Sequence, residues 1–108
     1  MSLSTHVLDA VTGRPAAGVD VRVEAEHDST WSVSATGQTD GDGRIGDLGH
    51  PAAGIHRITF GSGAYFRRLG VPTFYPEVAI TFQVTDADAH HHVPLLLSPY
   101  AFSTYRGS

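Results

Sequence analysis

A chain of 108 residues that is 41% hydrophobic and 17% charged suits one domain (1–108) with a single core, and excludes a disordered polymer. Its formal net charge of −4, with no basic cluster beyond Arg67-Arg68, argues against nucleic-acid and anionic-membrane partners. Cysteine is absent, which removes disulfides, thiolate metal sites and cysteine nucleophiles. No apolar run approaches the roughly 20 residues that span a bilayer. The start, MSLSTHVLDA, lacks the charged n-region and apolar stretch of a secretory signal, so a cytoplasmic location is expected.

In chain order, THVLDAV (5–11) reads as the first strand, with His6, Leu8 and Ala10 on one face. A turn cluster, TGRPAAG, precedes GVDVRVEA (18–25), where Val19, Val21 and Val23 alternate with Asp20, Arg22 and Glu24. In TWSVSA (30–35) the same period sets Trp31, Val33 and Ala35 against Ser32 and Ser34. TDGDGRIGDLG and HPAAG are turn-rich, and GIHRITF (54–60) is a shorter strand. One segment reads as helix: Ser62 is placed to cap GAYFRRLG, Tyr65 and Leu69 pair at i, i+4, and Gly70 suits a left-handed C-terminal position. VAITFQV (78–84) alternates again, with Val78, Ile80, Phe82 and Val84 inward. After the VTDADA turn come HHH and VPLLL, then SPYAFSTYRGS. Seven or eight short strands, one short helix and no βαβ alternation predict an all-β, two-sheet antiparallel sandwich.

Three segments invite chemistry. Asp40 and Asp42 in TDGDGR resemble the start of a calcium loop, but the fifth and twelfth positions hold Arg44 and Pro51 rather than oxygen ligands. An Asp-Gly hairpin turn is the simpler expectation, with Arg44 opening the next strand. The run His90-His91-His92 is the obvious metal candidate, but on a strand His91 faces away from its neighbours. His90 and His92 would need a third ligand such as His6; solvated imidazoles at a polar strand start are the expectation for His90 and His91. His6, inside a strand, is either packed against a carbonyl or functional.

Several stretches together resemble the 5-hydroxyisourate hydrolase family, the transthyretin-related enzymes of purine catabolism. They are THVLDAVTGRPAAGV, TDGDGR, YF with GVPTFYPEV, and HHVPLLLSPYAFSTYRGS, and the likeness runs from about Ser4 to Ser108. The most specific element is the ending Tyr105-Arg106-Gly107-Ser108; transthyretin, the hormone carrier, shares the LLSPYxxST stretch but neither that ending nor His6. The resemblance implies a transthyretin-like fold and a homotetramer with sites where two dimers meet. It implies a small purine-derived substrate, 5-hydroxyisourate, opened to 2-oxo-4-hydroxy-4-carboxy-5-ureidoimidazoline with no cofactor and no metal. Its catalytic residues fall on His6, Arg44, His92 and Ser108, with Tyr105, Arg106 and Gly107 shaping the substrate pocket.

Those residue types suit the reaction. A neutral imidazole can take a proton from water near neutral pH. A guanidinium is permanently charged and can favour an oxyanion. Ser108 offers a hydroxyl and, as the final residue, an α-carboxylate able to pair with an arginine or steer an imidazole. The division of labour between His6 and His92 stays open on sequence alone. A carrier, an adhesive or regulatory β-sandwich module and a zinc-binding periplasmic variant are the rival readings.

Overall fold

Period-two alternation in Asp20–His27 buries Val21 and Val23, with Val19 just before them, against the inner face of a sandwich. The computed structural model describes residues 2–108, in which nine strands and one helix occur. In chain order they are β1 (Leu3–Asp9), β2 (Arg14–Pro15), β3 (Asp20–His27), β4 (Thr30–Gln38), β5 (Arg44–Ile45), β6 (Gly54–Phe60), α1 (Ser62–Arg68), β7 (Val78–Val84), β8 (His91–Ser98) and β9 (Ala101–Thr104). Two of the nine, β2 and β5, have only two residues, which accounts for the excess over the seven or eight expected.

The strands form two sheets. One runs β2-β1-β8-β9 with β5 also paired to β1, and the other runs β4-β3-β6-β7. Between them lie Leu3, Val7, Val19, Val21, Val23, Ile58, Phe60, Val78, Val93, Leu95 and Leu97, all buried. Every ladder is antiparallel except β1 with β8, which is parallel from Leu3↔His91 to Asp9↔Leu97. That pair joins the two ends of the chain and decides where the candidate site forms.

Three local expectations need correction. In β4 a register shift places Val23 opposite Ala35 but Glu24 opposite Val33, so Ser34 is an extra residue. The shift moves Val33 and Trp31 to the outer face: Val33 is 57% exposed, and Trp31 lies under the Arg57 guanidinium at 4.2 Å. Arg57 in turn donates to Glu24 at 3.1 Å. Second, Ser62 is not the helix cap. Gly61 occupies that position without a side-chain bond, and Ser62 begins the helix itself. Third, Leu69 is exposed while Tyr65 and Phe66 are buried, so the helix docks through its aromatic pair. Arg67 and Arg68 fill its last turn, where cations complement the helix dipole, and Gly70 has the expected positive φ, +69°. Among the described residues no helix is long and apolar enough to cross a membrane.

Candidate active site

The outward face of the β1–β8 sheet is built by register. Thr5, Val7 and Asp9 point into the sandwich and are buried, so Ser4, His6 and Leu8 point out. The antiparallel partner β5 sets Arg44 directly opposite His6, and residues opposite one another share a face. On the other side, parallel pairing sets Ser4 beside His92 and His6 beside Pro94. Two imidazoles and a guanidinium from three distant stretches of chain therefore occupy one face.

The TDGDGR turn delivers Arg44 to that face. The Asp40 carboxylate accepts hydrogen bonds from the backbone N–H groups of Asp42 at 2.9 Å and Arg44 at 3.0 Å. Those bonds, the backbone N–H of Arg44 foremost, hold its carboxyl below the usual range, and the charges of Arg44 and His6 add to the effect. The turn is fastened to β1 because Val7 N–H donates to the Gly43 carbonyl at 2.7 Å. Gly43 has φ +74°, and a Cβ there would collide with the Val7 carbonyl oxygen. Asp40 and Asp42 thus shape a turn, as expected. The Arg44 side chain is exposed and forms no ion pair among the described residues.

His92 is half-buried, and its Nδ1 lies 2.7 Å from Ser4 Oγ. Burial lowers its pKa below the ordinary 6.5, and the neighbouring His90, His6 and Arg44 lower it further. The imidazole is therefore neutral at pH 7. Because Nδ1 is occupied by Ser4, Nε2 is the nitrogen left for a ligand.

Gly107 ties the C-terminal motif to the same imidazole. Its N–H donates to the His92 carbonyl at 2.9 Å, forming an isolated antiparallel bridge. A Cβ on Gly107 would sit 2.5 Å from His92 Cδ2, so only glycine allows this approach. Ser108, exposed, follows immediately. Tyr105 and Arg106 line a groove of about 290 Å³ between the sheets, together with His92 itself and with Ile80, Phe82, His91 and Val93. Of the seven residues singled out from sequence, His6, Arg44, His92 and Gly107 adjoin, Tyr105 and Arg106 share the inter-sheet groove with His92, and Ser108 is the next residue along.

His91 and His90 depart from the solvated imidazoles expected of them. His91 is 6% exposed, on the inner face of β8, and its Nδ1 has no hydrogen-bond partner. Burial lowers its pKa, helped by the Arg106 guanidinium. His90 is exposed but bonded: its Nδ1 is 2.9 Å from Ser2 Oγ and its Nε2 is 3.1 Å from Ser4 Oγ. Among the described residues no three His, Asp or Glu side chains group as a metal ion requires. Sequence reasoning missed Ser4 altogether. The signal was present, since strand period places Ser4 on the face of His6, two residues on.

A family model described as HIUase/Transthyretin family matches residues 3–107. A protein of Salmonella dublin named 5-hydroxyisourate hydrolase is 47% identical over 109 residues, spanning 98% of this chain and 80% of its own. One of the same name from Caulobacter vibrioides is 44% identical over 115 residues, spanning 98% and 97%. Among solved structures, the Klebsiella pneumoniae 5-hydroxyisourate hydrolase superposes with a TM-score of 0.88 at 37% identity, covering 99% of this chain and 93% of that one. Sea bream transthyretin, in complex with thyroxine, reaches 0.92 at 32% identity, covering 99% and 95%. With likeness of this degree along nearly its whole length, the chain belongs to the HIUase/Transthyretin family.

Proposed function

We propose that this chain hydrolyses 5-hydroxyisourate, opening its ring to 2-oxo-4-hydroxy-4-carboxy-5-ureidoimidazoline in urate catabolism. The relatives bearing that enzyme's name support the choice of substrate. The observation that carries the reading is the register of β1, which sets His6 opposite Arg44 while Ser4 stands beside His92.

The chemistry follows from these groups. Water oxygen adds to a ring carbonyl carbon, the carbon–nitrogen bond breaks with its electrons leaving on nitrogen, and the nitrogen takes a proton. His92, neutral at pH 7 with Nε2 available, accepts the proton of the attacking water. Arg44, exposed and permanently charged, holds the oxyanion that forms on the attacked carbonyl. His6, across the ladder from Arg44, orients the ring and donates to its polar edge. The Ser108 hydroxyl closes the far side, and Gly107 lets that end of the chain reach His92. Tyr105 and Arg106 line the inter-sheet groove that His92 also lines, and shape the pocket from that side.

The same face carries Leu8 and Leu96, both only half-buried, beside the polar cluster. Apolar side chains around a catalytic group favour a covering partner. The reading accordingly places the site in a cytoplasmic homotetramer, where the outward faces of two dimers enclose the substrate and exclude water.

A carrier is the rival, and the likeness to thyroxine-bound transthyretin favours it. Fold similarity does not by itself assign function, and a carrier gives no work to the His6–Arg44–His92 cluster. The test is to generate 5-hydroxyisourate from urate with urate oxidase, add the protein, and follow loss of substrate absorbance. Acceleration that is indifferent to a chelator is expected. No acceleration would favour the carrier, and loss of activity on chelation would require a metal.

A further inference from the structure

Ser4 Oγ touches two imidazole nitrogens at once, His92 Nδ1 at 2.7 Å and His90 Nε2 at 3.1 Å. The other nitrogen of His90, Nδ1, lies 2.9 Å from Ser2 Oγ. The two rings stand nearly parallel, with centroids 6.4 Å apart and planes at 17°, and the hydroxyl bridges them. Backbone pairing holds the pieces in place: Ser4 is in register with His92, and His91 N–H donates to the Ser2 carbonyl at 2.8 Å. The middle of the chain is sheltered, with Ser4 only 8% exposed, while Ser2 and His90 reach solvent.

A hydroxyl carries one proton, and a neutral imidazole carries one proton on two nitrogens. Ser4 therefore donates to one ring and accepts from the other, and the whole row has two consistent proton orders. In the first, His92 Nδ1–H donates to Ser4, Ser4 donates to His90 Nε2, and His90 Nδ1–H donates to Ser2. His92 Nε2 is then a lone pair, the form a general base needs. In the second, Ser2 donates to His90 Nδ1, His90 Nε2–H donates to Ser4, and Ser4 donates to His92 Nδ1. His92 Nε2 then bears the proton, the form a general acid needs.

We propose that Ser2, His90 and Ser4 are positioning residues forming a proton relay that sets the tautomer of His92 and exchanges its Nδ1 proton with solvent during hydrolysis. The inference rests on the reading of His92 as the group that deprotonates water. The balance is one proton in and one out. As His92 Nε2 takes a proton from the attacking water, the Nδ1 proton passes to Ser4 Oγ and the Ser4 proton to His90 Nε2. The His90 Nδ1 proton passes to Ser2 Oγ, whose own proton leaves to solvent. Reversed, the same row resupplies Nδ1 while Nε2–H is given to the departing nitrogen. No electrons are exchanged and no co-reactant is needed.

The relay has a physical reason. A full positive charge on His92 is opposed by its burial and by His90, His6 and Arg44 around it. Shuttling the proton keeps the ring neutral. The charges of His90, His6 and Arg44 all work against the imidazolium.

The test compares wild type with Ser4→Ala, Ser4→Thr and His90→Phe, measuring kcat and KM in H2O–D2O mixtures and recording 15N NMR of the His92 ring. Wild type is expected to show a curved dependence of kcat on deuterium fraction, the mark of more than one proton in flight. Ser4→Ala should lower kcat about tenfold, a fraction of a general base's full contribution. Its KM should stay within about twofold, since a group acting only in the transition state leaves binding intact. Its deuterium dependence should become linear, and its His92 15N shifts should move as the Nδ1 bond is lost. Ser4→Thr keeps the hydroxyl and should restore all three. His90→Phe keeps a ring at an exposed position and should also linearise the deuterium dependence, so the test survives if Ser4→Ala folds poorly. Wild-type kcat and a curved dependence in both Ser4→Ala and His90→Phe would overturn the relay. Should wild type fail to accelerate the reaction, that result overturns the functional reading, and the 15N shifts still decide whether Ser4 sets the His92 tautomer.

Discussion

Gly107→Ala is the smallest change that should separate this site from its scaffold. The added Cβ would lie 2.5 Å from His92 Cδ2, 3.3 Å from His92 Cγ and 3.4 Å from Pro94 Cδ. Ordinary carbon contacts begin near 3.4 Å, so the ring or the 105–108 segment must yield by almost 1 Å. A displacement of about 1 Å in a catalytic group costs on the order of 10²-fold in rate. The cost to the fold is small, because the substitution lies beyond the last strand and its backbone needs no left-handed conformation. The assay is kcat/KM on enzymatically generated 5-hydroxyisourate, beside a thermal melt of the same preparation. The expected result is about a 10²-fold lower kcat/KM, with Tm within about 3 °C of wild type, as a loss well under 1 kcal/mol allows. Wild-type kcat/KM in Gly107→Ala would refute the claim that the His92 ring must stand where it does.

The remaining predictions concern charge and protonation. Arg44→Ala should lower kcat/KM about 10²-fold, the usual loss for one oxyanion donor, measured in the same absorbance assay. Because His92 must be neutral to accept a proton and its pKa lies below 6.5, kcat/KM should be flat through neutrality. It should fall on acidification with a midpoint under 6.5, read from a pH–rate profile. His91 also has a lowered pKa in the folded state, so the unfolded chain binds a proton first as pH falls. Its contribution to stability is complete above the unfolded value near 6.5 and declines below it. His91→Phe should remove that part of the pH dependence in urea melts and, by deleting a buried unpartnered nitrogen, gain about 1 kcal/mol at pH 7.

Much of the sandwich was legible because a strand half-buried in a two-layer fold must alternate. Val19, Val21 and Val23, and Val78 to Val84, declare their faces residue by residue. The loop carrying Arg44 was legible for a similar reason, since Asp-Gly steps specify a tight turn and leave the next residue to open a strand. Faces go wrong where alternation itself breaks. One extra residue at Ser34 turns Trp31 and Val33 outward, and nothing in TWSVSA marks the bulge. The parallel β1–β8 ladder is invisible locally, since its partners are 88 residues apart in Leu3↔His91. That pairing hides Ser4 and His90 from sequence. A serine among strand residues and an exposed histidine are both unremarkable until the register sets His90 and His92 on the two sides of the Ser4 hydroxyl. The family motif, by contrast, pointed to His6, Arg44, His92 and Ser108 without any geometry. It set Tyr105 and Arg106 apart as pocket-shaping residues, and both line an inter-sheet groove that His92 shares.

Removing one imidazole asks the central question most directly. With 5-hydroxyisourate formed in situ from urate, wild-type protein should accelerate substrate loss well beyond the spontaneous rate, and His92→Ala should lose on the order of 10²-fold or more of kcat/KM, as for deletion of a general base. Equal rates in wild type and His92→Ala would contradict the assignment of catalysis to the outward face of the β1–β8 sheet.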